Sequence, residues 1–171
     1  MAVTIRPERP EDFDDIRHVL KLAFGRVNEA DLVEGVRASD HYVPELALVA
    51  EDAGQIVGYV LASYVELAGS RSWAVLALAP LGIRPDCQGE GVGVALVEAL
   101  LQQADAMGEP LVVVLGPPRY YTRFGFVPAR PHGIEAPPPG VPDEVFMVKL
   151  LTNYAVNQRG QIAFPPAFDN A

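Results

Sequence analysis

Cysteine is nearly missing from this chain. Cys87 stands alone among 171 residues, which excludes an intrachain disulfide and a metal site built from thiolates. A reducing, cytoplasmic compartment is the setting this implies. Long apolar runs are missing too: the longest, residues 73–83, falls well short of the roughly 20 residues that cross a bilayer. Residues 1–12 mix charges with prolines and hold no apolar h-region, so no secretory leader is expected there. Positive charge is scarce. Against 13 Lys and Arg stand 22 Asp and Glu, a formal net charge of −9, which repels phosphate backbones and argues against nucleic acid as a general partner. No ligand cluster makes a case for a metal. The expectation is a soluble protein with no membrane, nucleic-acid or metal partner, and its acidity suits a cationic amine without requiring one.

What the chain does have is a globular composition, half hydrophobic and a fifth charged. Its length suits a single domain, with a core over about residues 3–150 and a tail over 151–171. Val3 to Ile5 alternate as a short strand. Pro10, Glu11 and Asp12 then open a helix at its positive end, in which Phe13, Ile16, Val19, Leu20 and Phe24 recur at helical spacing before Gly25 stops it. A second short helix is expected over 29–38. Strand-like runs follow at 46–50, 56–65 and 73–83. Asp52-Ala53-Gly54 between the first two reads as a hairpin turn. The third run is apolar on both faces, as a central strand is, and Pro80 inside it predicts a bulge. Residues 91–107 carry the clearest amphipathic helix, 111–115 a buried strand, 119–123 a helical turn and 145–150 a last strand. Six prolines between 128 and 142 predict a stiff loop, and the tail shows only weak periodicity.

The informative segment runs Leu81-Gly82-Ile83-Arg84-Pro85-Asp86-Cys87-Gln88-Gly89-Glu90-Gly91-Val92-Gly93, between a buried strand and a helix. Glycines let backbone come close to a ligand, and the unpaired N–H groups at a helix start favour an anion. A P-loop would need a lysine here, and a dinucleotide fingerprint would need glycine where Val94 stands. What remains is Q-x-x-G-x-G, met by Gln88, Gly91 and Gly93. This segment, with Ile83-Arg84-Pro85 before it and Tyr120-Tyr121-Thr122-Arg123-Phe124-Gly125-Phe126 some thirty residues on, resembles motif A and the Y-x-x-x-G-F segment of the GNAT acetyltransferases. Leu115-Gly116-Pro117-Pro118, Phe146-Met147-Val148 and the closing G-x-I-x-F-P-P-A-F are similar to a bacterial subgroup labelled predicted N-acetyltransferases.

The resemblance implies an α/β (α+β mixed) fold: a central, mostly antiparallel sheet splayed between its fourth and fifth strands and flanked by helices. It implies acetyl-CoA as co-substrate, with the pyrophosphate on N–H groups from Gln88 and Gly89 through Gly91, Val92 and Gly93. Pantetheine would run along Leu81 and Ile83 like an added strand, and the N–H near Leu81 would face the thioester oxygen. Tyr121 matches the family's general acid, its phenol being protonated at neutral pH, with Tyr120 as second candidate. The base that frees an ammonium acceptor is Glu66 or Glu29, either acting through water. His18, His41 and His132 have no acid or nucleophile partner in the sequence. Cys87 beside the loop raises a ping-pong route, but nothing in the sequence lowers its pKa, which favours direct attack in a ternary complex. The implied activity is acetyl transfer to a primary amine. The alternatives are an acetyl-CoA-binding module without turnover and a protein or peptide acyltransferase. A homodimer is compatible with the family.

Overall fold

The computed structural model describes residues 1–170. Strands β1 (Thr4–Pro7), β2 (Ala47–Asp52), β3 (Gln55–Ala68) and β4 (Ser72–Ile83) come before β5 (Leu111–Leu115), β6 (Val127–Pro128), β7 (Ile134–Glu135), β8 (Phe146–Leu150) and β9 (Gly160–Ala163). They share one sheet in the order β1-β2-β3-β4-β5-β8-β6, with β9 pairing both β3 and β7. Pairing is antiparallel except for β4 with β5 and β7 with β9. Helices α1 (Phe13–Phe24), α2 (Asn28–Arg37), α3 (Val92–Ala106) and the single turn α4 (Pro118–Tyr121) complete the chain. No helix among the described residues is long and apolar enough to cross a membrane.

Local chemistry accounts for the order. Ala53 and Gly54 both take positive φ, as a two-residue hairpin between β2 and β3 requires. α1 stops at Gly25 in the left-handed conformation, whose N–H donates to the Lys21 carbonyl. One face of the sheet packs on α3 through Leu96, Val97 and Leu100 against Val60, Leu76 and Leu78. The opposite face packs on α1 and α2 through Ile16, Leu20, Leu32 and Val36 against Val49, Tyr59 and Leu61. A third cluster joins the far end of β3 and β4 to β5, β8 and β9.

The expected bulge lies where Pro80 predicts it. β3 pairs Val60 with Leu81 and Ala62 with Leu78, so Ala79 and Pro80 together oppose Leu61. The extra residue inverts the alternation of β4. Leu76 and Leu78 face α3 before the bulge, and Leu81 and Ile83 face it afterwards. The expected splay is also present: β5 pairs with β4 only at Leu76–Val112 and Ala77–Val113.

Two expectations need correction. The proline-rich segment is not simply a loop: it holds β6, a 3-10 turn at Arg130–His132 and β7. The tail is not featureless either, since β9 pairs with Glu66, Leu67 and Ala68 of β3, and residues 166–170 pack on α2. Strands of two to four residues are too short to leave a readable alternation, and long-range pairing makes them.

A buried polar group braces the N-terminal half. The Glu8 carboxylate is 1% exposed and accepts two hydrogen bonds from Arg37, at 3.1 and 2.7 Å, and one from the Tyr42 hydroxyl at 2.5 Å. The Arg37 guanidinium also stacks 3.8 Å from the Phe13 ring centroid. Removing the carboxylate alone strands a buried cation. Glu8→Ala should cost about 3–5 kcal/mol in urea unfolding, and Glu8→Leu combined with Arg37→Met should recover most of that loss. Equal stability of Glu8→Ala and the wild type would show that the network contributes nothing.

Candidate active site

The loop from β4 into α3 leaves a run of backbone amides without protein partners among the described residues. Residues Pro85–Cys87 make a 3-10 turn, and Gly91 then caps α3 in the left-handed conformation at φ 86°. A side chain there would strain the backbone, although the space around it is open. Among the described residues, the amides of Gly89, Glu90, Gly91, Val92, Gly93 and Val94 donate to no protein acceptor. They lie at the positive end of α3, where an anion is favoured. The Gln88 side-chain amide donates to the Ile83 carbonyl at 3.2 Å and ties the loop to the strand end.

The edge of β4 beside this loop is equally available. The Arg84 amide donates to the Val57 carbonyl at 2.8 Å, and neighbours in an antiparallel ladder alternate in direction. Leu81 and Ile83 therefore turn their N–H and C=O groups away from β3, towards the side that β5 has vacated. A groove of about 550 Å³ runs from this edge to the cradle. All seven residues proposed from sequence for the cofactor line it: Leu81, Ile83, Gln88, Gly89, Gly91, Val92 and Gly93. Arg123, which the sequence reading passed over, lines it as well and stacks 4.7 Å from the Tyr120 ring centroid.

A second cavity of about 570 Å³ fills the splay between β4 and β5. It meets the groove at Phe24 and Leu81, which line both. The two tyrosines divide between them. Tyr120 lines the groove, its hydroxyl filling the space over Gly93. Tyr121 lines the cavity and is 6% exposed, held edge-on to Phe126 with centroids 5.5 Å apart. Its ring lies against Gly116, where any side chain would collide with it. Among the described residues its hydroxyl has no hydrogen-bond partner. Burial first, and neighbouring Tyr120 second, push its pKa up to about 12.

The two candidate carboxylates separate. Glu29, in the first turn of α2, is 6% exposed, lines the cavity and accepts a forked pair from Arg26 at 2.9 and 2.5 Å. Glu66 is exposed at the far end of β3, where it accepts from Ser72 at 2.8 Å. Its partner Ala74 lies five residues down the strand from Ala79, roughly 17 Å at the usual strand rise. Only Glu29 reaches the site. Cys87 lines the groove but is buried, and burial pushes its thiol pKa up. The three histidines line neither cavity.

Several cavity residues escape the sequence reading. Phe24, Arg26 and Leu32 come from the α1–α2 region, and Phe164 and Phe168 from the tail. The last two stack 4.7 Å apart and within 3° of parallel. Their i, i+4 spacing is visible in the sequence, but nothing local says that they face a site.

Known proteins are similar to this chain in sequence and fold. The family model described as an acetyltransferase (GNAT) domain matches residues 4–129. The uncharacterized N-acetyltransferase YjhQ of Escherichia coli K12 is 36% identical over 88% of this chain and 86% of its own. The chain is also similar to the crystal structure of the Escherichia coli GNAT family N-acetyltransferase YhbS in complex with CoA. That match has a TM-score of 0.88 and 33% identity, over 98% of this chain and 92% of the other. A GNAT family acetyltransferase of Brucella melitensis in complex with acetyl-CoA gives 0.80 and 31%, over 98% and 99%. With its glycine cradle, its splayed sheet and relatives a third identical along most of their length, the chain belongs to the GNAT family of acetyltransferases.

Proposed function

We propose that this acetyltransferase binds acetyl-CoA along the groove and passes the acetyl group to a primary amine held in the splay cavity, by direct attack in a ternary complex. The observation that carries this is the junction of the two spaces at Leu81, with free amides at one end and the Tyr121 hydroxyl near the other. The free amides from Gly89 to Val94, with Arg123, fit a pyrophosphate, and the outward backbone of Leu81 and Ile83 fits an extended amide-bearing arm. The solved relatives that hold CoA and acetyl-CoA support that fit.

Acetyl-CoA supplies an activated acyl thioester, and the chain's own groups do the rest. The Leu81 N–H, directed into the splay, is placed to donate to the acyl oxygen as negative charge develops there. Glu29 takes the acceptor's proton through water, because an amine attacks only when neutral. Tyr121 returns a proton to the departing sulfur. Its raised pKa keeps the phenol protonated throughout the working pH range, so the donor is always loaded. Cys87, buried with its thiol held protonated, is unsuited to a covalent relay.

Calorimetry tests the cradle first. Wild type should bind acetyl-CoA, and Gly91→Asp, which sets a carboxylate beside the amides, should weaken binding at least tenfold, a cost of about 1.4 kcal/mol. Unaltered binding by the folded variant would remove the cradle from the site. Tyr121→Phe should lower kcat by about a hundredfold or more at unchanged acetyl-CoA affinity. The wild-type rate should also show no loss attributable to a phenol up to about pH 10, and an alkaline limb that vanishes in Tyr121→Phe would contradict the raised pKa. Glu29→Gln should cut kcat/KM by about a hundredfold, whereas Glu66→Gln should act like wild type. The reverse ranking would exchange their roles.

A further inference from the structure

The splay cavity is lined mainly by apolar side chains. Rings of Phe24, Tyr121, Phe146, Phe164 and Phe168 line it, together with aliphatic side chains of β4 and β5. Apart from backbone and the Tyr121 hydroxyl, its polar side chains are Glu29 and Arg26, already joined to each other. The stacked Phe164 and Phe168 form one aromatic part of its wall. That wall is held from two sides. β9 anchors the chain just before Phe164 by pairing with β3, and Ala167 packs against Gly35 of α2.

We infer that the acceptor is an amine carried on an apolar, planar body of the phenylalkylamine class, and that Phe164 and Phe168 select for it. This rests on the reading of the cavity as the amine site. The one carboxylate lining the cavity among the described residues, Glu29 in the first turn of α2, is already shared with Arg26 and can serve at most a single amine. A polyamine would bring further ammonium groups into a space with no second carboxylate, and a buried unpaired charge is strongly disfavoured. An amino sugar would bury several hydroxyls against phenyl rings, with few polar side chains to receive them. An aromatic body gains on both counts. It buries apolar area against five rings and can meet them in offset or edge-on arrangements. The selection works mainly by attraction, since an apolar cavity turns away an added polar group only modestly, by about a hundredfold.

The test is steady-state kinetics with acetyl-CoA and four acceptors: 2-phenylethylamine, ethylamine, spermidine and glucosamine. The expected kcat/KM for 2-phenylethylamine exceeds each of the others by at least about tenfold. In Phe164→Ala and Phe168→Ala the ratio of 2-phenylethylamine to ethylamine should fall about tenfold, mainly through KM. Phe164→Leu and Phe168→Leu, which keep apolar bulk but lose the planar surface, should fall between these and wild type and guard against misfolding of the alanine variants. Calorimetry with acetyl-CoA on every variant separates the two levels of inference. Loss of acetyl-CoA binding by the wild type would sink the proposed function itself. Intact binding with preference for spermidine or glucosamine, with 2-phenylethylamine left untouched, or with an unaltered ratio in all four variants, would overturn the acceptor assignment alone.

Discussion

The parting of β4 from β5 is the constraint on which the rest of this molecule depends. Two parallel rungs, Leu76 with Val112 and Ala77 with Val113, join the two halves of a mostly antiparallel sheet. Past them the bulge at Ala79 and Pro80 turns β4 aside, and hydrogen-bonding groups that a neighbouring strand would have consumed are left facing a cavity. A central strand with an unpaired edge is costly in a core, because buried N–H and C=O groups require partners. Here the cost is tolerable because the exposed edge opens onto the groove and the cavity, where solvent or a bound arm can serve it. The same parting leaves room for Tyr121 to reach in from beyond β5.

The electrostatics follow a similar economy. Summed over side chains the protein is strongly acidic, a balance that opposes anions at long range. The cradle answers with backbone dipoles at the start of a 15-residue helix, a source of positive potential that composition does not count. Side-chain cations enter sparingly. Arg123 lies over Tyr120 at the groove, and Arg26 is committed to Glu29 at the cavity mouth. Net charge therefore speaks to solubility and long-range attraction, and the local arrangement of amides decides what the loop can hold.

Much of this was legible in the sequence, and the boundary of legibility has a physical cause. Long elements with a strong period, such as α1, α3, β3 and β4, announce themselves because each buries a continuous face. The loop from Gln88 to Gly93 is legible because left-handed backbone at Gly89 and Gly91, leading into a helix start, demands glycine at fixed positions. Even the bulge is readable, since proline cannot join a ladder. Legibility ends where function is assembled from distant pieces. Glu29 and Glu66 are indistinguishable as letters, and only topology puts one in the cavity and the other at the opposite end of the sheet. Phe164 and Phe168 lie in a tail without period, placed by the pairing of β9 with β3, a contact between residues nearly a hundred positions apart.

The bulge also bears on how the gene can change over time. Because Ala79 and Pro80 together oppose one residue of β3, they reset the phase of the strand. Losing one codon there would rotate Leu81 and Ile83 from the α3 face to the α1 face, while Gly82, which has no room for a side chain beside Leu20, would give up its place to a larger residue. Core and ligand edge would fail in one step. Drift by substitution is open to this stretch so long as a break in the ladder survives, but drift by insertion or deletion is closed. Across descendants of this chain, the count of residues between Leu78 and Leu81 should endure longer than their identities.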